Sequence, residues 1–145
     1  MILGLDTDVL VHWTVRETSE HGRVRGWLSS LLAEGGVSLG LAPQVWFEWL
    51  HVVTDPRRFE SPLSMRSAAR LAEELNGAEE VVEILPSAHV LPRVLRLMEA
   101  HRLGRKRILD TALAVTLEQA DVGHLATFNG RDFAAFDFLE VVEPG

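Results

Sequence analysis

Two carboxylates flank a hydroxyl where the first apolar run ends: Ile2-Leu3-Gly4-Leu5 leads directly into Asp6-Thr7-Asp8. A short apolar run ending this way reads as a central parallel strand whose carboxyl end opens into a helix. Ligands of open α/β sheets bind beyond that edge. An acid at this place is also an ordinary helix N-cap, but capping accounts for only one of the two. A third acid, Glu48, lies in the stretch Pro43 to Val53, which is nearly apolar all round. The polar positions of that stretch and its end, Gln44, Glu48, His51 and Asp55, form one stripe at helical spacing. A carboxylate in such surroundings needs a partner or a metal ion. A Glu48–His51 pair facing solvent is the plainer alternative. A fourth acid, Asp110, heads the apolar stripe of Ile108 to Gln119, as a ligand or as an N-cap. Finally, Leu125-Ala126-Thr127 ends in a hydroxyl and is followed by Asn129 and Asp132, with Asn129-Gly130 a turn sequence.

A parallel sheet can bring all of these segments to one carboxyl edge. Clustered carboxylates repel one another unless a hard cation lies among them, and oxygen donors with water suit Mg²⁺ or Mn²⁺. Such ions activate water and stabilise the leaving oxygen in phosphodiester hydrolysis.

The elements that must position these groups alternate. Helices are expected at Thr7 to Thr14, Thr18 to Ala33 (inner stripe Trp27, Leu28, Leu31 and Leu32), Pro43 to about Thr54, Ser64 to Asn76 (Met65, Ala68, Ala69, Ala72 and Leu75 inward), Pro86 to about His101, and Ile108 to Gln119. Short strands are expected at Val37 to Leu41, Val81 to Leu85, Gly123 to Phe128 and Leu139 to Val142. Pro92 stands either in the first turn of its helix or at a kink. Alternating strands and helices imply crossover connections and a parallel sheet covered on both faces. The connector Leu103 to Arg107 carries Arg105, Lys106 and Arg107, with Arg102 just before it. It is either a phosphate contact or a solvated loop.

In order and spacing these segments resemble the PIN-domain ribonucleases, in particular the VapC-type toxins of VapBC toxin–antitoxin pairs, over essentially the whole chain. The resemblance rests on Ile2 to Leu10, on Glu48, on Arg107-Ile108-Leu109-Asp110-Thr111-Ala112-Leu113-Ala114, and on Thr127-Phe128-Asn129-Gly130-Arg131-Asp132-Phe133. It implies an α/β, PIN-like three-layer sandwich with a mostly parallel sheet of four to five strands. It implies an endoribonuclease that uses Mg²⁺ or Mn²⁺ on Asp6, Glu48, Asp110 and Asp132, with Thr127 and Asn129 positioning water or ligands. An RNA substrate, a cognate antitoxin and a homodimer follow from the same likeness, and a cytoplasmic location is compatible with the absence of cysteine. There are two departures. Asp8 stands where the family usually has Asn and is an auxiliary ligand candidate. Some PIN domains also carry their fourth acid at the position of Asn129.

Composition narrows the alternatives. A chain of 145 residues, 47% hydrophobic and 24% charged, suits one domain spanning the whole sequence. The absence of cysteine excludes disulfides, thiolate metal sites and cysteine nucleophiles. A net charge of −7 argues against a basic nucleic-acid coat. There is no stretch of 18 apolar residues and no basic leader segment, so neither a membrane span nor a signal peptide is expected. Asp6-Thr7-Asp8-Val9 also resembles the opening of haloacid-dehalogenase-type phosphatases. That chemistry wants a later lysine and a further acidic pair, and the one lysine is Lys106. A non-catalytic interaction module of the same fold is the rival from another class.

Overall fold

The computed structural model describes residues 1–145. Its strands are β1 (Ile2–Leu5), β2 (Ser38–Leu41), β3 (Val81–Glu83), β4 (His124–Ala126) and β5 (Glu140–Val142). Its α-helices are α1 (Thr7–Thr14), α2 (His21–Glu34), α3 (Pro43–Val53), α4 (Met65–Asn76), α5 (Val90–Ala100) and α6 (Ile108–Gln119). The five strands form one sheet in the order β3-β2-β1-β4-β5, and every pairing is parallel. The expected α/β sandwich is therefore the observed one, with the sheet wholly parallel.

Successive strand residues point to opposite faces. Leu3, Gly4 and Leu5 of β1 are all buried, as are Leu39, Gly40 and Leu41 of β2, so both faces of the central sheet are covered. Gly4 lets α6 come close: a Cβ there would stand 3.0 Å from Leu117 Cδ2 and 3.2 Å from the His124 carbonyl oxygen. One apolar cluster of 28 buried residues runs through these layers. No helix is long and apolar enough to cross a membrane.

The strand order fixes where a site can form. From β1 the chain steps outward through β2 to β3, then returns to place β4 on the other side of β1, with β5 beyond it. The carboxyl ends of β1 and β4 flank this switch point, where loops diverge and leave a crevice. Gly4 pairs with Leu125 and Leu5 with Ala126. Asp6 N donates to the Ala126 carbonyl at 3.0 Å, which sets the residues following both strands side by side.

Element boundaries differ from expectation where turn chemistry wins. α2 begins at His21 and not at Thr18, because Thr18 closes a turn onto the Val15 carbonyl through both its backbone and its hydroxyl. Its fully buried residues are Val24 and Leu28; Trp27, Leu31 and Leu32 of the expected stripe pack half-buried on the same core, and Val24 extends that stripe one turn earlier. α5 begins at Val90 and not at Pro86. Ser87 Oγ accepts from His89 N and holds that stretch as a turn. Pro92 then falls in the first helical turn, where its missing N–H costs no helical hydrogen bond. In α4, Ser64 is the N-cap, Met65 and Ala69 face solvent, and Ala68 alone is fully buried. β3 ends at Glu83 and β4 at Ala126, both shorter than expected.

α3 separates its faces sharply. Trp49 is fully buried and donates from Nε1 to Thr14 Oγ1 at 2.8 Å, tying α3 to α1, whereas Phe47 is 69% exposed. Trp49→Ala should cost about 3–5 kcal/mol, the range for deleting a buried large aromatic. Phe47→Ala should change stability by less than about 0.5 kcal/mol. Urea unfolding of the two variants checks this, and comparable losses would contradict the assigned faces.

Candidate active site

Asp6 does two jobs at once. It is the N-cap of α1, its Oδ1 accepting from Thr7 N at 2.8 Å, so the plain capping reading is correct as far as it goes. Its other oxygen, Oδ2, accepts from Thr127 Oγ1 at 2.7 Å. Thr127 is buried at the end of β4, and its hydroxyl also accepts from Asn129 N at 3.0 Å. It thus sits beneath the acids and orients both Asp6 and the loop after β4. Asp8 is committed differently. Its Oδ1 accepts from Val9 N at 2.7 Å, while its Oδ2 accepts from Phe128 N at 3.0 Å and from Asn129 Nδ2 at 2.9 Å. Both oxygens of Asp8 therefore hold backbone and the Asn129 amide, and its geometry is that of a clamp on the loop.

Glu48 comes from α3. Thr7 Oγ1 donates to its Oε2 and Gln44 Nε2 to its Oε1, both at 3.2 Å. His51 is exposed and makes no ion pair with Glu48, so the solvent-facing pair is not formed. Gln44, one turn before Glu48, also donates to the Leu109 carbonyl at 2.8 Å and ties α3 to the first turn of α6. Asp110 is the third residue of α6. It makes no capping bond, and the N-cap position belongs to Arg107. The N-cap reading of Asp110 is therefore incorrect.

Asp6, Thr7, Asp8, Glu48, Asp110 and Asn129 line one open cavity of about 550 Å³. Asp132 does not. It lines a neighbouring cavity of about 370 Å³ with Arg107 and Asn129, and its Oδ1 pairs with Arg107 Nη2 at 3.0 Å. Lys106 lies outside the main cavity, so the phosphatase alternative finds no lysine there.

The electrostatics are those of crowded like charge. Burial, then the neighbouring Asp8, pushes the Asp6 carboxyl up to about 6, against the partial relief of its hydrogen bonds from Thr127 and Thr7. Asp110 is also raised to about 6, by burial first and then by Asp6 and Asp132, with Arg107 opposing. Burial raises Asp8 as well, and the N–H groups of Phe128 and Val9 offset part of it. No three of the acid or histidine side chains surround a single point closely enough to hold an ion as they stand. The acids share a wall and a field, not yet a coordination sphere. The donor set nevertheless fits a hard divalent cation: all donors are oxygen, negative charge is in excess, and a cation would relieve what raises Asp6 and Asp110.

No protein-family model matches the chain. Ribonuclease VapC24 of Mycobacterium tuberculosis is 27% identical over 143 residues, spanning 99% of this chain and 97% of its own. Among solved structures, M. tuberculosis VapC20, described as a sarcin-ricin loop cleaving toxin, superposes with a TM-score of 0.70 at 17% identity, over 98% of this chain and 99% of its own. Rickettsia felis VapBC2, solved bound to a fragment of promoter DNA, gives 0.69 at 18% identity over both full lengths. This is the PIN fold of VapC-type toxins. Within that fold Asp6, Glu48 and Asp110 line one cavity without closing to the metal-bridging distance expected of them, Thr127 and Asn129 stand beside them, and Asp132 is set apart.

Several residues of the site carry little signal in the sequence. Gln44 was legible only as a member of the Glu48 stripe, although its spacing of four is what lets it reach Glu48. His12, Thr18, Val52, Arg58 and Phe59 complete the cavity wall, and nothing in their local sequence sets them apart. His12 Nδ1 is buried without a partner, and burial lowers the ring's proton affinity.

The raised acids dictate a pH dependence. A carboxyl whose folded value lies above its unfolded one favours folding when protonated. That contribution is complete below about 4 and is lost as pH rises through about 6. The metal-free protein should therefore gain stability between pH 7 and pH 4.5, by roughly 2–3 kcal/mol, because protonating one acid relieves the other. Asp110→Asn should flatten the curve and stabilise the metal-free form at pH 7. Thermal melts in chelator across that range check it, and a parent that loses stability on acidification to pH 4.5 would contradict the assignment.

Proposed function

We propose that this chain is a metal-dependent endoribonuclease, the toxin of a type II toxin–antitoxin pair, which hydrolyses RNA phosphodiester bonds with Mg²⁺ or Mn²⁺ held by Asp6, Glu48 and Asp110. The observation that carries this reading is the meeting of those three acids, from β1, α3 and α6, on one open cavity at the switch point of the sheet. The full-length likeness to a ribonuclease VapC and to structures of VapBC assemblies points the same way.

The residues divide the work by chemistry. A bound cation supplies an activated water and an electrostatic partner for phosphate oxygens. Asp6 and Asp110 would hold it, and its charge would relieve the burial and like-charge crowding that raise both carboxyls. Glu48, steadied by Thr7 and Gln44, faces the cavity as the third donor. Thr127 and Asp8 keep the Asp6 side chain and the loop after β4 in place. The net charge of −7 leaves general electrostatic attraction of RNA to the cation and to local arginines. The same acidic cavity suits a basic segment of a cognate antitoxin, whose arginine or lysine would compete with the metal.

Cleavage of a labelled RNA pool by purified protein tests the reading. Activity should require Mg²⁺ or Mn²⁺ and disappear in chelator, and Asp6→Asn or Asp110→Asn should lower it by at least 100-fold, on the order of removing a principal transition-state interaction. Asp6→Asn cleaving as fast as the parent would reduce Asp6 to a helix cap. Independently of turnover, Mn²⁺ at about a hundred times its dissociation constant should add about 2.7 kcal/mol of stability. For a domain of this length that raises the melting temperature by roughly 5–15 °C. Asp110→Asn should lose most of that rise. Equal shifts in parent and variant would favour the non-catalytic module.

A further inference from the structure

Arg107 stands between two of the candidate acids. Its Nη2 lies 3.0 Å from Asp132 Oδ1 and its Nη1 lies 3.9 Å from Asp110 Oδ2. No other arginine or lysine makes an ion pair with any of Asp6, Asp8, Glu48, Asp110 or Asp132; Arg58, on the far wall, is turned to Asp55. The position of Arg107 is fixed by the fold. It is the last residue of the 3₁₀ turn Arg105–Arg107 and the N-cap residue of α6, and its carbonyl accepts from Thr111 Oγ1 at 2.7 Å. Its side chain is only 40% exposed, unlike the free ends of neighbouring Arg105 and Lys106, which are open to solvent.

We infer that Arg107 is a built-in cation that holds Asp132 out of the metal site and takes the place of a second divalent ion. The inference rests on the metal-dependent reading above. Four acids, Asp6, Glu48, Asp110 and Asp132, would carry enough charge and oxygen donors for a pair of cations. With Arg107 bridging Asp110 and Asp132, the donor set open to the main cavity shrinks to Asp6, Glu48 and Asp110. A second divalent ion near Asp132 would then meet a fixed positive charge a few ångströms away. Arginine suits this part because its guanidinium is planar, remains charged at every working pH, and sets one nitrogen toward each of two carboxylates. An isolated surface ion pair would carry little weight. A bridge that removes one of four acids from the donor set changes how many ions the site can hold.

Calorimetric titration with Mn²⁺ tests this without reference to turnover. The parent should bind one ion. Arg107→Gln should bind two, or bind the first at least tenfold more tightly, because Asp132 is released and one positive charge is gone. Arg107→Lys keeps one positive charge beside Asp132 but cannot span both acids, and should still bind one ion, with an affinity between those of the parent and Arg107→Gln. Arg105→Gln removes the same net charge from the adjoining turn without breaking the bridge and should match the parent. Arg107→Gln combined with Asp132→Asn should return to one ion. Melting curves in chelator establish that each variant is folded. Arg107→Gln titrating like the parent would overturn the inference, and so would a double variant that still takes up two ions. The two readings fail separately. A parent that binds no Mn²⁺ while Arg107→Gln binds one would keep the role of Arg107 and remove the metal reading of the native chain. If neither binds, both fall.

Discussion

The parallel pairing of β1 with β4 is the constraint on which the site depends. These strands belong to opposite halves of the chain, and only their register sets Asp6 beside Thr127. The hydrogen bond between those two side chains does more than satisfy two polar groups. It fixes which carboxylate oxygen of Asp6 turns inward and which is left to cap α1. The Asp8 contacts with Phe128 and Asn129 repeat the same tie one turn along. A single seam of polar contacts thus runs from the start of α1 to the loop after β4, and α3 and α6 deliver Glu48 and Asp110 to the same cavity.

The cost of this arrangement is electrostatic. A cavity that gathers carboxylates must either hold protons on some of them or hold cations among them. The chain does some of each: Asp6 and Asp110 are pushed up toward neutrality, and Arg107 supplies one internal positive charge. Removing stability in order to hold charge ready is a familiar trade at functional sites. It contrasts with the rest of the molecule, where the apolar cluster is continuous and every buried side-chain nitrogen and oxygen has a partner; the one exception, His12 Nδ1, belongs to a residue of the cavity wall.

Much of this was legible in the sequence, for reasons that can be named. The first strand, α1 and α6 follow from apolar runs bounded by acids and turns, and the bounds of α1 and α6 fell where the pattern placed them. Asp6, Glu48 and Asp110 stood out because each interrupts an apolar setting, and that same contrast raises Asp6 and Asp110. What local pattern could not supply were decisions between equally plausible partners. The spacing of Glu48 and His51 allowed a pair, but the orientation of α3 turns Glu48 to Thr7 and leaves His51 in solvent. Asp110 looked like a cap, yet the preceding 3₁₀ turn starts the helix two residues before it. Asp132 was read with the other acids because its spacing matches the family motif. The competing partner, Arg107, is 25 positions away and becomes visible only in three dimensions.

The late position of β4 also bears on how such a protein is made. Synthesis runs from the amino terminus, and a domain folds as a unit once its parts are present. Asp6 emerges first of all the cavity residues, but its partner Thr127 follows 121 residues later, and Asn129 is equally far from Asp8. A nascent chain lacking β4 has no partner for one side of β1 and no floor beneath the acids. Closure of the sheet and completion of the cavity are therefore one event, and no partly paired chain presents its acids in working order.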